Sequence, residues 1–138
     1  MPNDDLTCVD TSAWIEYLRD SRHPVVQATR ELLVAARVCV ADVVLGELFQ
    51  GVRSSREQAI IEEFAQTLPV LSGTPSTWKA AGQLAADVRA RGKTIHLIDC
   101  YLASLAKERH VSFLTCDHHF EVLQSRLPHL QIHLVSTV

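Results

Sequence analysis

Short apolar runs alternate along the chain with longer segments in which apolar residues recur at helical spacing. A short run such as Leu6-Thr7-Cys8-Val9 is typical of a buried strand, and a segment such as Trp14, Ile15 and Leu18 is typical of an amphipathic helix. Strands are predicted at 6–9, 38–40, 68–71, 112–115 and 131–135. Helices are predicted at 11–18, 24–36, 42–51, 57–67, 76–91, 97–109 and 118–123.

Regular alternation of strand and helix predicts a parallel sheet covered by helices on both faces, joined by right-handed crossovers. The expected fold class is therefore α/β, in three layers around a central, mainly parallel sheet. The 138 residues are 47% hydrophobic and 21% charged, which excludes a disordered or low-complexity chain. We expect residues 1–138 to form a single domain.

Other features of the composition indicate a cytoplasmic protein. No apolar run has the length of about 20 residues that a membrane span needs, and the polar start MPNDDL does not resemble a signal peptide. The four cysteines have no C-x-x-C spacing and lie inside apolar runs, which predicts reduced core thiols. They are Cys8, Cys39, Cys100 and Cys116. The adjacent pair His118-His119 lacks the i, i+4 spacing of a helical zinc site.

Four carboxylates are placed so that they can meet at one edge of the predicted sheet. Asp10 and Asp117 follow strands, and Asp99 begins the helix that leads into the strand before Asp117. Glu47 lies in the helix after the second strand, and helical side chains lean back toward the helix start. Ligands of such folds bind outside the carboxyl ends of the strands.

Each of these acids has an ordinary structural alternative when taken alone. Asp10 and Asp99 could cap helices, Glu47 could be a solvated helix residue, and Asp117 could be a turn residue. Their convergence in apolar sequence, with no Lys or Arg beside them, favours a functional cluster. Such a cluster repels itself unless a divalent metal ion is bound, and oxygen ligands favour Mg²⁺ or Mn²⁺.

Three segments of the chain resemble PIN-domain ribonucleases of the VapC kind, the toxins of bacterial toxin–antitoxin pairs. The segments are LTCVDTSAWIEYL, VVLGELFQGVR and HLIDCYLASLAKERHVSFLTCDHHF, and together they span almost the whole chain. The resemblance implies a PIN-like fold, Mg²⁺- or Mn²⁺-dependent endoribonuclease activity, a homodimer, and a cognate antitoxin that blocks the site. By position, Asp10, Glu47, Asp99 and Asp117 match the acidic quartet of the family, and Thr115 matches a hydroxyl beside it.

The resemblance suggests a role for each of these residues in hydrolysis of the RNA phosphodiester by a metal-activated water. Asp10, Asp99 and Asp117 are expected to form the metal shell, directly or through water. Glu47, also a potential ligand through water, is expected to orient or deprotonate the attacking water, and Thr115 to support a ligand. His119 departs from the pattern, because many members carry an acid or Asn there.

RNA must be held by local cations, because the net charge of −3 and the isoelectric point near 6.1 exclude a generally basic protein. The candidates are Arg53, Arg56, Arg89, Arg91 and Lys93. Arg89 and Arg91 could instead be solvated residues that complement the dipole of their helix end. The mean hydropathy of +0.08 is slightly apolar for a domain of this size, which agrees with a surface that is buried against a second copy or a partner.

Two alternative functions stay open from the sequence. A catalytically silent PIN module would bind RNA or protein without cutting it. A receiver-like phosphoacceptor domain is also a small α/β unit, but it requires a lysine after a late strand. The lysines here are Lys79, Lys93 and Lys107, and none follows a predicted strand.

Overall fold

A five-stranded parallel sheet forms the centre of the computed structural model, which describes residues 5–137. The strand order is β3-β2-β1-β4-β5. This confirms the predicted α/β class, and it differs from the 2-1-3-4-5 order of receiver domains, so the phosphoacceptor alternative is wrong. The strands are β1 (Thr7–Val9), β2 (Val38–Ala41), β3 (Val70–Leu71), β4 (Ser112–Thr115) and β5 (Ile132–Leu134).

Helices fill the connections between the strands, as the apolar periodicity predicts. They are α1 (Thr11–Leu18), α2 (Val25–Val34), α3 (Asp42–Gln50), α4 (Ser55–Thr67), α5 (Pro75–Ala90), α6 (Leu97–Glu108) and α7 (Phe120–Gln124). Within residues 5–137, no helix has both the length and the apolar character needed to cross a membrane. The polar start at residues 1–4 lies outside the described residues.

The core is densest around the central strands and α6. Strands β1 and β2 are buried along their whole length, and every residue of α6 from Cys100 to Ala106 is buried. A helix covered on all sides needs an apolar circumference, which explains why this segment shows a nearly continuous apolar run. Trp14, Tyr101, Phe113 and Phe120 are the largest fully buried side chains.

Two expectations about local structure need correction. The third strand has only two residues, because Pro69 lacks the N–H that a longer pairing with β2 requires. Cys116 is not a core thiol like the other three cysteines: it is partly exposed, because the chain leaves β4 at Thr115 and turns toward α7. All four cysteines are unbridged, as predicted.

Helices α5 and α6 form an antiparallel hairpin that determines where Asp99 lies. Buried Thr77, near the start of α5, donates a hydrogen bond of 2.9 Å to Glu108 at the end of α6. The hydroxyl of Tyr101 bonds Asp42 at 2.9 Å and accepts the backbone N–H of Gly73 at 2.8 Å. The first contact holds the end of α6, and the Tyr101 contacts hold its first half, which carries Asp99, against α3.

Candidate active site

The pairing of β1 with β4 places Asp10 next to Thr115. Val9 is paired with Leu114, and the ladder continues through a hydrogen bond from the Asp10 N–H to the Leu114 carbonyl at 2.8 Å. The next residues, Asp10 and Thr115, therefore lie side by side at the sheet edge. The Thr115 hydroxyl donates to Asp10 Oδ2 at 2.8 Å.

Asp10 is a buried carboxylate with only 6% of its surface exposed. Burial raises its pKa above the ordinary value, and hydrogen bonds from Thr115 and Ser12 act in the opposite direction. Asp10 precedes α1, but its side chain makes no capping hydrogen bond to that helix. The simple capping role considered from the sequence is therefore absent.

Ser12 and Thr115 connect Asp10 to the loop that carries Asp117. Ser12 Oγ donates to Asp10 Oδ2 at 2.9 Å and accepts the N–H of Cys116 at 3.1 Å. Thr115 Oγ1 accepts the N–H of Asp117 at 3.0 Å. Two hydroxyls thus hold the start of the loop in a fixed position relative to the buried carboxylate.

Asp99 projects from the first turn of α6 and is half-buried. Burial raises its pKa to about 6, and the charges of Asp10 and Asp117 add to the effect. Within residues 5–137 its carboxylate accepts no hydrogen bond from any side chain, and His96, not Asp99, occupies the cap position of α6. Asp99 is therefore a charged group held near two like charges.

Asp117 and His119 complete a group of potential ligands with Asp99. One ligand atom from each of the three residues lies within 4.8 Å of the other two. The His119 N–H donates to Asp117 Oδ1 at 2.9 Å, and the His119 Nδ1 lies 3.2 Å from the same oxygen. The turn between β4 and α7 thus directs both side chains toward Asp99.

Glu47 reaches the same region from α3. Its Oε1 accepts a hydrogen bond of 2.7 Å from the Thr11 hydroxyl at the start of α1. Glu47 is exposed, yet its negative charge contributes to raising the pKa of both Asp10 and Asp99. The four predicted acids therefore share one electrostatic environment.

Residues 7–125 match the family model of the PIN domain. The chain belongs to the PIN domain family. This match covers most of the chain and confirms the resemblance found in its three segments.

Curated relatives and solved structures agree with this assignment. The PIN domain is 29% identical over 127 residues to Ribonuclease VapC11 of Mycobacterium tuberculosis and to VapC ribonuclease Mb1587 of Mycobacterium bovis, covering 89% of this chain and 94% of each relative. Its fold is similar to VapBC2 from Rickettsia felis bound to a promoter DNA fragment, with a TM-score of 0.71, 16% identity, and coverage of 94% of this chain and 98% of that one. VapBC-5 from Mycobacterium tuberculosis gives a TM-score of 0.67 at 19% identity, covering 95% and 99%.

The donor set of this PIN domain suits a divalent metal ion. Asp99, Asp117 and His119 offer two carboxylates and an imidazole, and no Lys or Arg among residues 5–137 forms an ion pair with any of the four acids. Asp10 was expected in the metal shell but is not part of the set of three. Asp10 is more deeply buried than these three residues, and its carboxylate accepts hydrogen bonds from Thr115 and Ser12.

The predicted cations lie on two surface segments, and within residues 5–137 none of them forms an ion pair with the four acids. Arg53 and Arg56 flank the start of α4, and Arg89, Arg91 and Lys93 surround the end of α5. All five are exposed. Arg91 forms an ion pair with Asp87, N to O 3.6 Å apart.

The sequence says least about three polar residues. By resemblance Ser12 matches, as an alternative to Thr11, a small hydroxyl beside the acids of the family. His119 is more typical of a surface or hydrogen-bonded histidine than of a ligand, and the sequence indicates no role for Arg126. Ser12 and His119 each lie two residues after an acid that matches the family, Asp10 and Asp117, so their closeness in the sequence could have indicated a place in the site. Arg126 had no such signal, because α7 brings it to α5 only through the fold.

Proposed function

We propose that this PIN domain is a Mg²⁺- or Mn²⁺-dependent endoribonuclease and the toxin of a toxin–antitoxin pair. The observation that carries the proposal is the convergence of Asp10, Asp99 and Asp117 at one sheet edge, with Glu47 beside them and no Lys or Arg of residues 5–137 paired with any of the four. Matched curated relatives are named VapC ribonucleases. Since the substrate is cellular RNA, we propose the cytoplasm as its location.

Asp99, Asp117 and His119 are the residues proposed to hold the metal ion directly, with Asp10 acting through a water molecule. Mg²⁺ keeps several waters and needs few protein ligands, which agrees with so open a site. When bound, the ion supplies charge neutralisation for the phosphate and lowers the pKa of water. The raised pKa of Asp99 supports this assignment, because the clustered carboxylates are poorly compensated by the protein alone.

The remaining residues are proposed to position the reacting groups. Glu47 accepts the proton of the attacking water or orients that water, and the hydrogen bond from Thr11 limits the orientations of its carboxylate. Thr115 and Ser12 hold Asp10 in one rotamer. A fixed carboxylate arrangement reduces the reorganisation needed during the reaction.

RNA phosphates are proposed to contact the exposed cations outside the acidic centre. Arg53 and Arg56 lie on the α4 side, and Arg89, Arg91 and Lys93 lie on the α5 side. Phosphate contacts of this kind position a nucleic acid without reading its sequence. Because no Lys or Arg of residues 5–137 forms an ion pair with the four acids, the carboxylates are free for the metal ion.

A cognate antitoxin is proposed to dock in the shallow groove between α1, α3 and α4. Its walls include Ile15, Leu48 and Ile61, and Glu47 is part of its lining. An antitoxin segment that covers the mouth of this groove can place an Arg beside the carboxylates, where it pairs with them in place of the metal ion. Similar folds include toxin–antitoxin complexes. We also propose a homodimer, supported by exposed apolar residues such as Val34 and Phe49.

The test is cleavage of total RNA by the wild type and by Asp99→Asn, with Mg²⁺, with Mn²⁺, and with a chelator. Discrete fragments are expected from the wild type with metal only. Asp99→Asn is expected to lower the rate by at least about 100-fold, because a charged ligand is removed from the metal site. Asp20→Asn is the matched control, since Asp20 is an exposed acid whose side chain is 83% accessible.

Equal cleavage by Asp99→Asn and the wild type would contradict the assigned site. A folded wild type that binds RNA but never cuts it would instead support the silent binding module.

A further inference from the structure

The acidic site supplies proton acceptors, but the proposed hydrolysis also needs a proton donor. When the oxygen of water bonds to phosphorus, the bond to a ribose oxygen breaks, and that oxygen keeps the electron pair. The resulting alkoxide is a strong base and leaves slowly unless a positioned acid protonates it. The four carboxylates are proposed to be ionised around the metal ion, so the proton must come from another side chain.

Most donors close to the acids are already engaged. The three hydroxyls of the site donate to its carboxylates, Thr11 to Glu47, and Thr115 and Ser12 to Asp10. The Nδ1 of His119 lies 3.2 Å from Asp117, and His119 belongs to the group of potential metal ligands. These side chains are therefore occupied in holding the acids or the metal ion.

His96 stands at the start of α6, the helix that carries Asp99. His96 is the cap residue and Asp99 the third helical residue, two positions that lie on the same side of the first turn. The His96 carbonyl accepts the N–H of Cys100 at 3.2 Å, and both Ile95 and Cys100 are buried. The His96 side chain is exposed and makes no capping hydrogen bond. The main chain is thus fixed while the imidazole is free to meet a substrate.

His96 lies close to the acids without being bound to them. Its positive charge lowers the pKa of Asp99, against the effect of Asp10 and Asp117, and it acts on Asp99 more strongly than Glu47 does. Within residues 5–137, however, His96 forms no ion pair with an acid and is outside the group of potential metal ligands. A group placed in this way can reach the substrate held at the acids without displacing the metal ion.

The other histidines outside the ligand group are engaged or lie elsewhere. The Nδ1 of His23 accepts the N–H of Val25 at 3.0 Å, and His118 lies 3.5 Å from Glu121. The remaining three are His110 and His129, which line a cavity where β4 begins, and His133, which is on the edge strand β5. Histidine is the most frequent general acid in enzymes, and His96 is the histidine placed for that role here.

We propose that His96 is the general acid of the reaction and protonates the leaving ribose oxygen. As the water oxygen bonds to phosphorus, one proton of that water passes to Glu47. The phosphorus–ribose oxygen bond breaks, and the imidazolium of His96 gives its proton to that oxygen. His96 ends neutral and Glu47 protonated, and exchange with solvent restores both. The proposal rests on the proposed ribonuclease function and adds a catalytic residue to it.

The test compares His96→Gln with the wild type on two versions of one RNA. Mapping the cleavage site and the product ends with the wild type identifies the leaving oxygen, and a second RNA is synthesised with sulfur in its place. On the ordinary RNA, His96→Gln is expected to lower the rate at least about 100-fold. On the sulfur RNA it is expected to stay within about threefold of the wild type, because a thiol of ordinary pKa near 8.5 leaves as the thiolate without an acid.

Two further measurements separate proton transfer from other roles. His133→Gln is the matched control, because it makes the same change at an exposed histidine on β5, and it is expected to cut both RNAs like the wild type. Titration calorimetry with Mn²⁺ is expected to give His96→Gln an affinity within about twofold of the wild type, since loss of a ligand or its support costs at least about tenfold. A larger loss of Mn²⁺ affinity would assign His96 to the metal ion and overturn the proposal.

The outcomes distinguish this proposal from the proposed function. Equal cleavage of the ordinary RNA by His96→Gln and the wild type would remove the general acid and leave the ribonuclease. An equal loss of rate on both RNAs would mean that His96 acts in binding or folding, which also overturns proton transfer. A folded wild type that cuts no RNA would overturn the ribonuclease and any catalytic role of His96 with it.

Discussion

Asp10, Asp42 and Asp99 are three acids in apolar sequence, and each meets a different environment. Asp42 accepts hydrogen bonds from Tyr101 and from the N–H of Val43, so it joins α3 to α6 and has a structural role. Asp10 is buried and held by two hydroxyls. Asp99 is held near like charges with no hydrogen-bond donor among the described side chains. A carboxylate that lies near like charges and lacks a hydrogen-bond donor is typical of a functional site.

At His119, replacement by Asp is expected to shift the metal preference of the site. An additional carboxylate favours Mg²⁺, whereas loss of the imidazole removes a ligand suited to Zn²⁺. We expect the Mg²⁺ affinity to rise and the Zn²⁺ affinity to fall, each by about tenfold. Titration calorimetry on protein stripped of metal measures both affinities.

His118→Asp is the matched control, because it makes the same change one residue away. His118 is exposed and lies 3.5 Å from Glu121, not from Asp99. Identical effects of the two substitutions would show that only net charge matters and that His119 is not a ligand.

Helix α5 illustrates how an element can be recognised locally and yet depend on distant contacts. Its Ala-rich sequence, its Pro at the first position and the reciprocal hydrogen bonds of Thr74 and Thr77 all favour a helix that begins where the structure has it. The orientation of α5 is determined by α6, through Thr77 with Glu108 and Trp78 stacked on Tyr101 at 4.0 Å. Those contacts hold α5 against α6, the helix that carries Asp99.

Two glycines near this hairpin are expected to respond oppositely to replacement by Ala. A Cβ at Gly73 would lie 2.6 Å from the Tyr101 hydroxyl oxygen, which is fixed by Asp42, so Gly73→Ala should destabilise the fold by about 1–3 kcal/mol. Gly82 lies within α5 with no atom within 4 Å of such a Cβ. Gly82→Ala should stabilise by about 0.5–1 kcal/mol. Urea denaturation measures both changes, and a stable Gly73→Ala would show that Tyr101 can move.

At the scale of the whole molecule, the fold brings together four carboxylates from distant parts of the chain. Asp10 follows β1, Glu47 lies in α3, Asp99 begins α6 and Asp117 follows β4. The burial of Asp99 and its repulsion from the other acids both oppose folding in the absence of metal, as the raised pKa of Asp99 indicates. Function and stability are therefore opposed at this sheet edge.

Asp99→Asn is expected to stabilise the metal-free protein at pH 7.5. The Asp99 pKa of about 6 means that the ionised carboxylate is disfavoured in the folded state, and the neutral amide removes that penalty. After allowance for solvent screening of a half-buried group, the gain is about 1 kcal/mol. Thermal unfolding with a chelator measures this gain, and a lower midpoint than that of the wild type would contradict the penalty that burial and repulsion impose on ionised Asp99.

Much of the fold follows from local pattern. A buried strand and an amphipathic helix differ in their apolar period, so the order of the elements, the parallel sheet and the positions of Asp10, Glu47, Asp99 and Asp117 could be read from the residues. The short β3 and the partly exposed Cys116 could not, because strand pairing and chain direction after β4 depend on neighbours in space.

The sequence by itself determined the α/β class, the PIN resemblance and the set of acids at the sheet edge. Only the tertiary structure decided that Asp42 binds Tyr101 while Asp99 stays near like charges, that His119 joins Asp99 and Asp117, and that Arg126 meets Asp87. The longest of these contacts, from Asp42 to Tyr101, joins residues 59 positions apart, and all of them depend on strand register and helix packing. Local periodicity specifies which face a residue occupies, but not which partner it meets there.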